Sequence, residues 1–403
     1  MRIMDKGKTR IVTVFTGGTI GSRAGASGDI SPDRKMAYRL LKMYQDVFQT
    51  TEVENSLADI YTSETDNSST EFCVLEKDNG ITGFLTEEPY YILSENLTGK
   101  ELLLLARCVE KYLHPKMQDS SRRFCKPMGK EAEGMSSKEE KGIDGIIILH
   151  GTDTLQYTAA FLSYVFADAN VPIVLVSSAK PLEKIDIKET GKGAGEFAGS
   201  VCEKGKANGF QNFCGAVEFI RGGFCTGVYV SYANEGECVK IHSGERLIRS
   251  KEYSADVLSS FGSVYGSFDE GGAFLRNPSF QEKKDVCFDF FPRSFKEQQA
   301  DLAAAEIETE IYLTETCRGV LRISPYVGMT YPVLTGEIKV VLMESYHSGT
   351  LGITRELKEF AKEAALLKIP VYLTGLDEES ADYETVREYE ELGIIPLRNK
   401  SGV

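Results

Sequence analysis

The sequence predicts an α/β protein, with a larger N-terminal domain built on a parallel sheet and a smaller C-terminal α/β domain. Three observations carry that prediction. Residues 146–149 read IIIL, an apolar and largely β-branched run of the kind buried on both faces of a parallel sheet. Leu155, Ala159, Leu162 and Phe166 then recur at spacings of three and four, the stripe of an amphipathic helix, before a second buried run at 171–177. A strand, helix, strand order of this kind is a parallel crossover. Towards the C-terminus, strand-like runs at 311–313, 319–323, 338–343 and 371–373 with a helical stretch at 353–367 repeat the alternation on a smaller scale.

In an open parallel sheet the ligand crevice lies beyond the carboxyl ends of the strands, and two polar turns fall there. The first follows the β-rich run 11–15 and reads TGGTI at 16–20. Gly17 and Gly18 let the chain turn close to a ligand, which leaves the Thr19 hydroxyl at the strand's carboxyl end. The second follows residues 146–149: Gly151 permits a sharp turn, and Thr152, Asp153 and Thr154 stand at a helix N-terminus whose free N–H groups attract anions. On chemistry alone, helix capping by Asp153 accounts for this cluster equally well. Two threonine turns with one adjacent carboxylate nevertheless match a hydroxyl nucleophile served by a hydroxyl and acid pair that passes a proton.

Bulk properties narrow the function. The 403 residues can bury a large core, and 42% apolar with 26% charged residues is ordinary for a globular protein. Forty-six Lys and Arg against 60 Asp and Glu give a net charge of −14, which argues against non-specific nucleic-acid or membrane binding. The charged start MRIMDKGKTR leads straight into the first strand and no run approaches the length of a membrane span, so a cytosolic protein is expected. Nine cysteines without a CxxC pair read as reduced thiols, and four histidines, at 114, 150, 242 and 347, weaken any metal site.

TGGTI, HGTDT at 150–154 and PIVLVSSAKP at 172–181, in this order and strand context, resemble the paired signatures of the bacterial-type asparaginase family. That family includes asparaginase/glutaminases and the asparaginase-like subunit of an archaeal tRNA amidotransferase. The resemblance implies an asparaginase domain at 1–265, a linker at 266–300, and a C-terminal domain at 301–403 that stops where relatives continue into a closing helix. It also implies a homodimer or homotetramer acting on a small amino-acid substrate without metal or organic cofactor. Thr19 would attack the side-chain amide carbon of asparagine, and Thr152 with Asp153 would move the proton. Ser94 and Glu95, after a short strand expected at 90–93, resemble the turn that holds the substrate's α-amino and α-carboxylate groups. An ordinary cap for the helix through Leu102, Leu105 and Val109 is the other use of that turn. Ser178, Lys180 and Pro181 close a third turn facing the substrate.

The remaining chain, in order, reads as a mobile loop at 21–35, a helix at 36–48 and a polar, irregular stretch at 51–88. A charged insertion at 114–142 reads as loosely ordered, and a second at 183–206 interrupts what should be a short connection. Residues 208–217 resemble the family's DGxxNxxxAV segment with Asn208 in place of the aspartate, and 226–233 reads as a strand. The resemblance places a lysine partner for the Asp153 carboxylate within 239–261. Arg249 stands at the expected place, with Lys251 and Lys240 the nearest lysines; an arginine stays protonated where a buried lysine can be tuned. Residues 262–298 read as linker and edge hairpin, and ESYHSGT at 344–350 resembles a second-domain turn lying near a neighbouring subunit's site. The resemblance also calls for a loop tyrosine beside the nucleophile, and none lies between Thr19 and Tyr38. These departures define a rival, a catalytically degenerate paralogue that binds an amino acid or a partner. A glutaminase or a tRNA-linked amidase is the other alternative.

Overall fold

The structure is a computed structural model and describes residues 8–24, 30–48, 71–75, 81–113, 142–182, 193–251, 254–280, 319–346, 349–376 and 385–398. The chain divides into two compact units, one of residues 1–245, 250–257 and 264–287, the other of residues 246–249, 258–263 and 288–403.

The first unit opens with β1 (Lys8–Phe15), a 3-10 turn at Thr19–Gly21, and the hairpin β2 (Ser22–Ala24) and β3 (Ile30–Pro32). Then come α1 (Arg34–Phe48), β4 (Glu71–Leu75), β5 (Ile81–Glu87), a 3-10 turn at Ser94–Asn96 and α2 (Gly99–Leu113). The crossover expected from the sequence follows as β6 (Gly145–Leu149), α3 (Leu155–Val165) and β7 (Pro172–Val176). The unit continues with α4 (Ala194–Ala198), α5 (Gly209–Gly222), β8 (Gly227–Tyr232) and β9 (Lys240–Ser243). After the short pair β10 (Leu247–Ile248) and β11 (Leu258–Ser259) of the other unit, it closes with β12 (Gly266–Phe268) and β13 (Phe274–Arg276).

Nine of these strands form one sheet in the order β13-β12-β9-β8-β7-β6-β1-β5-β4. The run β8-β7-β6-β1-β5 is parallel, and antiparallel strands close both edges. Every residue of β6 and β7 is buried, as their apolar runs require when helices cover both faces. Each buried Ile, Leu or Val side chain of these two strands contributes roughly 1.5–3 kcal/mol by leaving water. On the core side, Tyr44 of α1 packs edge-on against Phe84 of β5 and Phe213 of α5. The register pairs Phe15 with Leu149 and Leu149 with Val176, so β1, β6 and β7 end level and their following turns share one end of the sheet.

The structure corrects several sequence expectations. The polar stretch 51–88 contains β4 and β5, the latter paired along its length with β1. Thr82, Gly83 and Thr86 dilute the apolar pattern of β5, yet both threonines are buried, because a β-branched side chain suits a covered sheet. The strand expected at 90–93 is instead an extended segment making a single parallel bridge, Ile92 to Gly17. The loop expected at 21–35 has a two-stranded antiparallel hairpin at its ends, Ser22 opposite Pro32 and Ala24 opposite Ile30; residues 25–29 lie outside the described residues. In the insertion expected at 183–206, Ala194, Phe197, Ala198 and Cys202 join the core; residues 183–192 lie outside the described residues. The insertion at 114–142 lies almost wholly outside them, as do residues 51–70 and 281–318. The edge hairpin expected within 262–298 is present as the antiparallel pair β12 and β13, which forms one edge of the nine-stranded sheet.

The second unit holds β14 (Val320–Ile323), β15 (Val340–Glu344), α6 (Arg355–Leu366), β16 (Val371–Leu376), α7 (Thr385–Glu391) and β17 (Ile394–Arg398). These four strands form one parallel sheet in the order β14-β15-β16-β17, apart from the antiparallel pair β10 and β11. Thr354 caps α6 by accepting from the Leu357 N–H, and Val341, Met343, Leu357, Phe360, Leu373 and Tyr389 fill the core. The sequence does not announce the last helix and strand, because α7, TVREYEE, carries few apolar residues. The strand expected at 311–313, and His347 and Ser348 of the 344–350 turn, lie outside the described residues.

Candidate active site

The turn after β1 is fastened to the end of β6. Thr16 donates to the Leu149 carbonyl twice, through its N–H at 3.2 Å and its hydroxyl at 2.7 Å. Gly17 and Gly18 adopt φ values of 98° and 72°, which only glycine visits readily. A Cβ on Gly18 would stand 2.3 Å from the Cα of Gly151, so the TGG and HGT backbones meet glycine to glycine. Thr19 and Thr152, each the next residue, are both half-buried, whereas Asp153 is exposed.

The segment before α2 completes the cluster. Gly18 N–H donates to the Ile92 carbonyl at 2.9 Å, and Ile92 N–H donates back to the Thr16 carbonyl at 3.1 Å. Two residues later Ser94 is buried; its hydroxyl donates to the Asp153 carboxylate at 3.3 Å, and its carbonyl accepts from the Thr154 hydroxyl at 3.0 Å. Three turns, carrying Thr19, Ser94 and the pair Thr152 and Asp153, are thereby joined at one end of the sheet. Glu95 is exposed beside Ser94, and its carboxylate has no partner among the described residues.

Capping does not use the side chains of Asp153 or Ser94. The N-cap of α3 is Thr154, whose hydroxyl is turned to Ser94 and makes no bond into the helix. The start of α2 is served by Thr98 and Glu101: the Thr98 N–H reaches the Glu101 carboxylate at 3.0 Å, and the Lys100 N–H reaches the Thr98 hydroxyl at 3.3 Å. The side chains of Asp153 and Ser94 are therefore bonded to each other and to neither helix start.

His150 supports the second turn from beneath, a role for which a lone histidine after a buried strand gives only a weak sequence signal. Its Nδ1 meets the Gly151 carbonyl at 2.8 Å and its Nε2 meets the Thr158 hydroxyl at 2.9 Å. A carbonyl can only accept, so Nδ1 carries the proton and Nε2 accepts from Thr158, a neutral imidazole with both nitrogens engaged. Burial pulls its pKa from 6.5 down to about 4, only partly offset by the Gly151 bond, and burial followed by the Lys240 charge pulls His242 down to about 3. Both folded values lie below the unfolded one, so the unfolded chain binds more protons between them. That stabilisation is complete above about pH 6.5 and is lost as pH falls towards 4. The unfolding free energy measured in urea should accordingly fall by about 2 kcal/mol or more between pH 7 and pH 5, and a flat profile would contradict neutral buried imidazoles.

The third turn is held by two asparagines. Asn208 accepts from Ala179 N–H at 2.8 Å and donates to the Ala233 carbonyl at 2.8 Å. An aspartate could accept the first bond but not donate the second, which gives a chemical reason for asparagine here. Buried Asn212 likewise donates to the Ser177 carbonyl at 2.9 Å and accepts from Ala233 N–H at 2.8 Å. Asn212→Ala would strand both backbone groups and should cost about 2 kcal/mol or more in a denaturant titration; an unchanged midpoint would contradict this cross-link. Ser178 donates to the Lys180 carbonyl at 2.5 Å, and the Lys180 ammonium is engaged by the Gly205 carbonyl.

Of the cations considered for Asp153, Lys240 is paired with Glu237 at 2.6 Å, Lys251 is exposed, and Arg249 falls in the second unit. Among the described residues of the first unit, no cationic side chain pairs with Asp153.

The family model described as Asparaginase, N-terminal matches residues 117–190, the stretch that includes β6, His150, Thr152, Asp153, α3 and β7. The thermostable L-asparaginase from Thermococcus kodakarensis superposes with a TM-score of 0.54 at 17% identity, over 96% of this chain and 88% of that one. L-asparaginase I from Vibrio cholerae O1 gives a TM-score of 0.51 at 16% identity, over the same shares of the two chains. The fold is that of these solved L-asparaginases. Among curated sequences, a glutamyl-tRNA(Gln) amidotransferase subunit of Pyrobaculum aerophilum is 43% identical over 53 residues, 13% of each chain. Its counterpart from Thermococcus kodakarensis is 34% identical over 85 residues, 21% of this chain and 19% of the other. The matched stretch thus spans less than a fifth of the length of these amidotransferase relatives. No described helix is long and apolar enough to cross a membrane.

Proposed function

We propose that this protein hydrolyses the side-chain amide of L-asparagine to aspartate and ammonia, with Thr19 as nucleophile. The Thr19 hydroxyl oxygen attacks the amide carbon, and the tetrahedral species collapses to an ester on Thr19 as ammonia leaves with the proton that Thr19 gave up. Thr152 and Asp153 carry that proton and then draw one from the water that cleaves the ester. Ser94 and Glu95 orient the amino acid. The single observation supporting this reading most is the meeting of the three turns, Gly18 against Gly151 and Ser94 against Asp153, with the carboxylate left free of capping duty. We further expect a cytosolic homodimer or homotetramer that needs no metal, with the catalytic threonines in a domain spanning 1–265 and a C-terminal domain from 301.

Ammonia release from asparagine and from glutamine tests the reading. Asp153→Asn should lower kcat by about 10²-fold or more with little change in KM, because proton transfer belongs to the transition state. A change confined to KM would make Asp153 a binding group only. Short matches to the amidotransferase subunits favour a second reading, in which the same threonines release ammonia for a tRNA-linked partner. Negligible release by the chain alone and strong stimulation by such a partner would favour that reading.

A further inference from the structure

Tyr91 lies outside the threonine turns, yet it holds together the backbone that leads out of them. Its hydroxyl donates to the Gly21 carbonyl at 2.7 Å and lies 2.9 Å from the Asp33 carbonyl. Gly21 ends the 3-10 turn begun by Thr19, and Asp33 directly precedes α1. The two are also joined to each other, Asp33 N–H donating to the Gly21 carbonyl at 2.9 Å. Tyr91 thus grips both feet of the β2–β3 hairpin.

Three further features fit this contact. A Cβ on Gly21 would stand 2.3 Å from the Tyr91 hydroxyl oxygen, so only glycine leaves room for the phenol. Glu88, on the same segment, pairs with Arg34 at 3.0 Å, and the Arg34 guanidinium lies 6.0 Å from the centre of the Tyr91 ring. The neighbours of Tyr91 in sequence reach the site itself: Ile92 bridges Gly17, and Ser94 meets Asp153. Burial first, then the Glu88 and Asp33 carboxylates, push the phenol well above its ordinary pKa, so it remains a donor across the working pH range.

We propose that Tyr91 is a positioning residue: its hydroxyl latches the Thr19–Gly21 turn to the segment carrying Ser94, fixing the nucleophile's hydroxyl relative to the substrate-holding turn. This rests on the threonine reading above. A displacement of the nucleophile by a fraction of its reach slows the chemical step without weakening amino-acid binding.

Tyr91→Phe keeps the ring and removes the latch, and Gly21→Ala displaces the hydroxyl from the opposite side. Both variants should lower kcat by about 10- to 100-fold with KM changed less than about threefold. Both should speed amide hydrogen exchange at Asp33 and Gly21. A kcat within about twofold of the parent in Tyr91→Phe, or a loss confined to KM, overturns the proposal. If the parent protein itself releases no ammonia, the threonine reading fails on its own, and exchange decides the latch: faster exchange at Asp33 in Tyr91→Phe upholds it, and unchanged exchange overturns it.

Discussion

Thr19→Ala should abolish ammonia release from asparagine, by about 10⁴-fold or more, while the protein stays folded. Position supports this as much as residue type does. Thr19 begins the 3-10 turn immediately after the two positive-φ glycines, at the level where β1 and β6 end side by side. Its hydroxyl has no hydrogen-bond partner among the described residues, whereas its neighbours Thr16 and Ser22 are spent on the Leu149 and Gly18 carbonyls, each at 2.7 Å. Removing one half-buried hydroxyl with no core role should leave stability within about 0.5 kcal/mol. Steady-state ammonia assays and thermal melts on the same preparation check both halves. Turnover near the parent level in a folded variant would remove Thr19 from the mechanism.

Gly18→Ala should produce the largest loss of stability, about 3 kcal/mol or more, together with loss of activity. Two independent penalties combine there. Alanine at a φ of 72° is strained, and its methyl would stand 2.3 Å from the Gly151 Cα, a backbone atom held by the β6 strand. A flexible side chain could swing aside, but a strand end cannot move without breaking the ladder to β7 that the His150 N–H extends to the Val176 carbonyl at 2.9 Å. Urea unfolding of the variant measures the loss. A change below about 1 kcal/mol would mean that the two turns do not pack backbone to backbone.

The parts of this protein that the sequence exposes are those where burial is complete and local. The runs IIIL and PIVLV announce β6 and β7 because both faces are covered and every position is apolar. β5 hides because buried threonines and a glycine stand among its apolar residues, and the paired partner that makes it a strand, β1, lies far away in sequence. Of the site, the threonine turns are legible through their glycines, which mark places where backbones approach closely. The choice between capping and chemistry for Asp153 and Ser94 is not, since it depends on whether Thr154 and Thr98 take the caps, and that is settled only in three dimensions. Tyr91 is invisible to pattern reading for a similar reason: its partners are backbone carbonyls 58 and 70 residues away.

The central claim, that Thr19 carries the acyl group, is tested most directly by acid-quenching the protein during turnover of asparagine and mapping the aspartyl ester by peptide mass spectrometry. The expected result is an ester on the peptide containing Thr19 that is absent from Thr19→Ala. An ester carried instead by Thr152, or one that persists in Thr19→Ala, would contradict it.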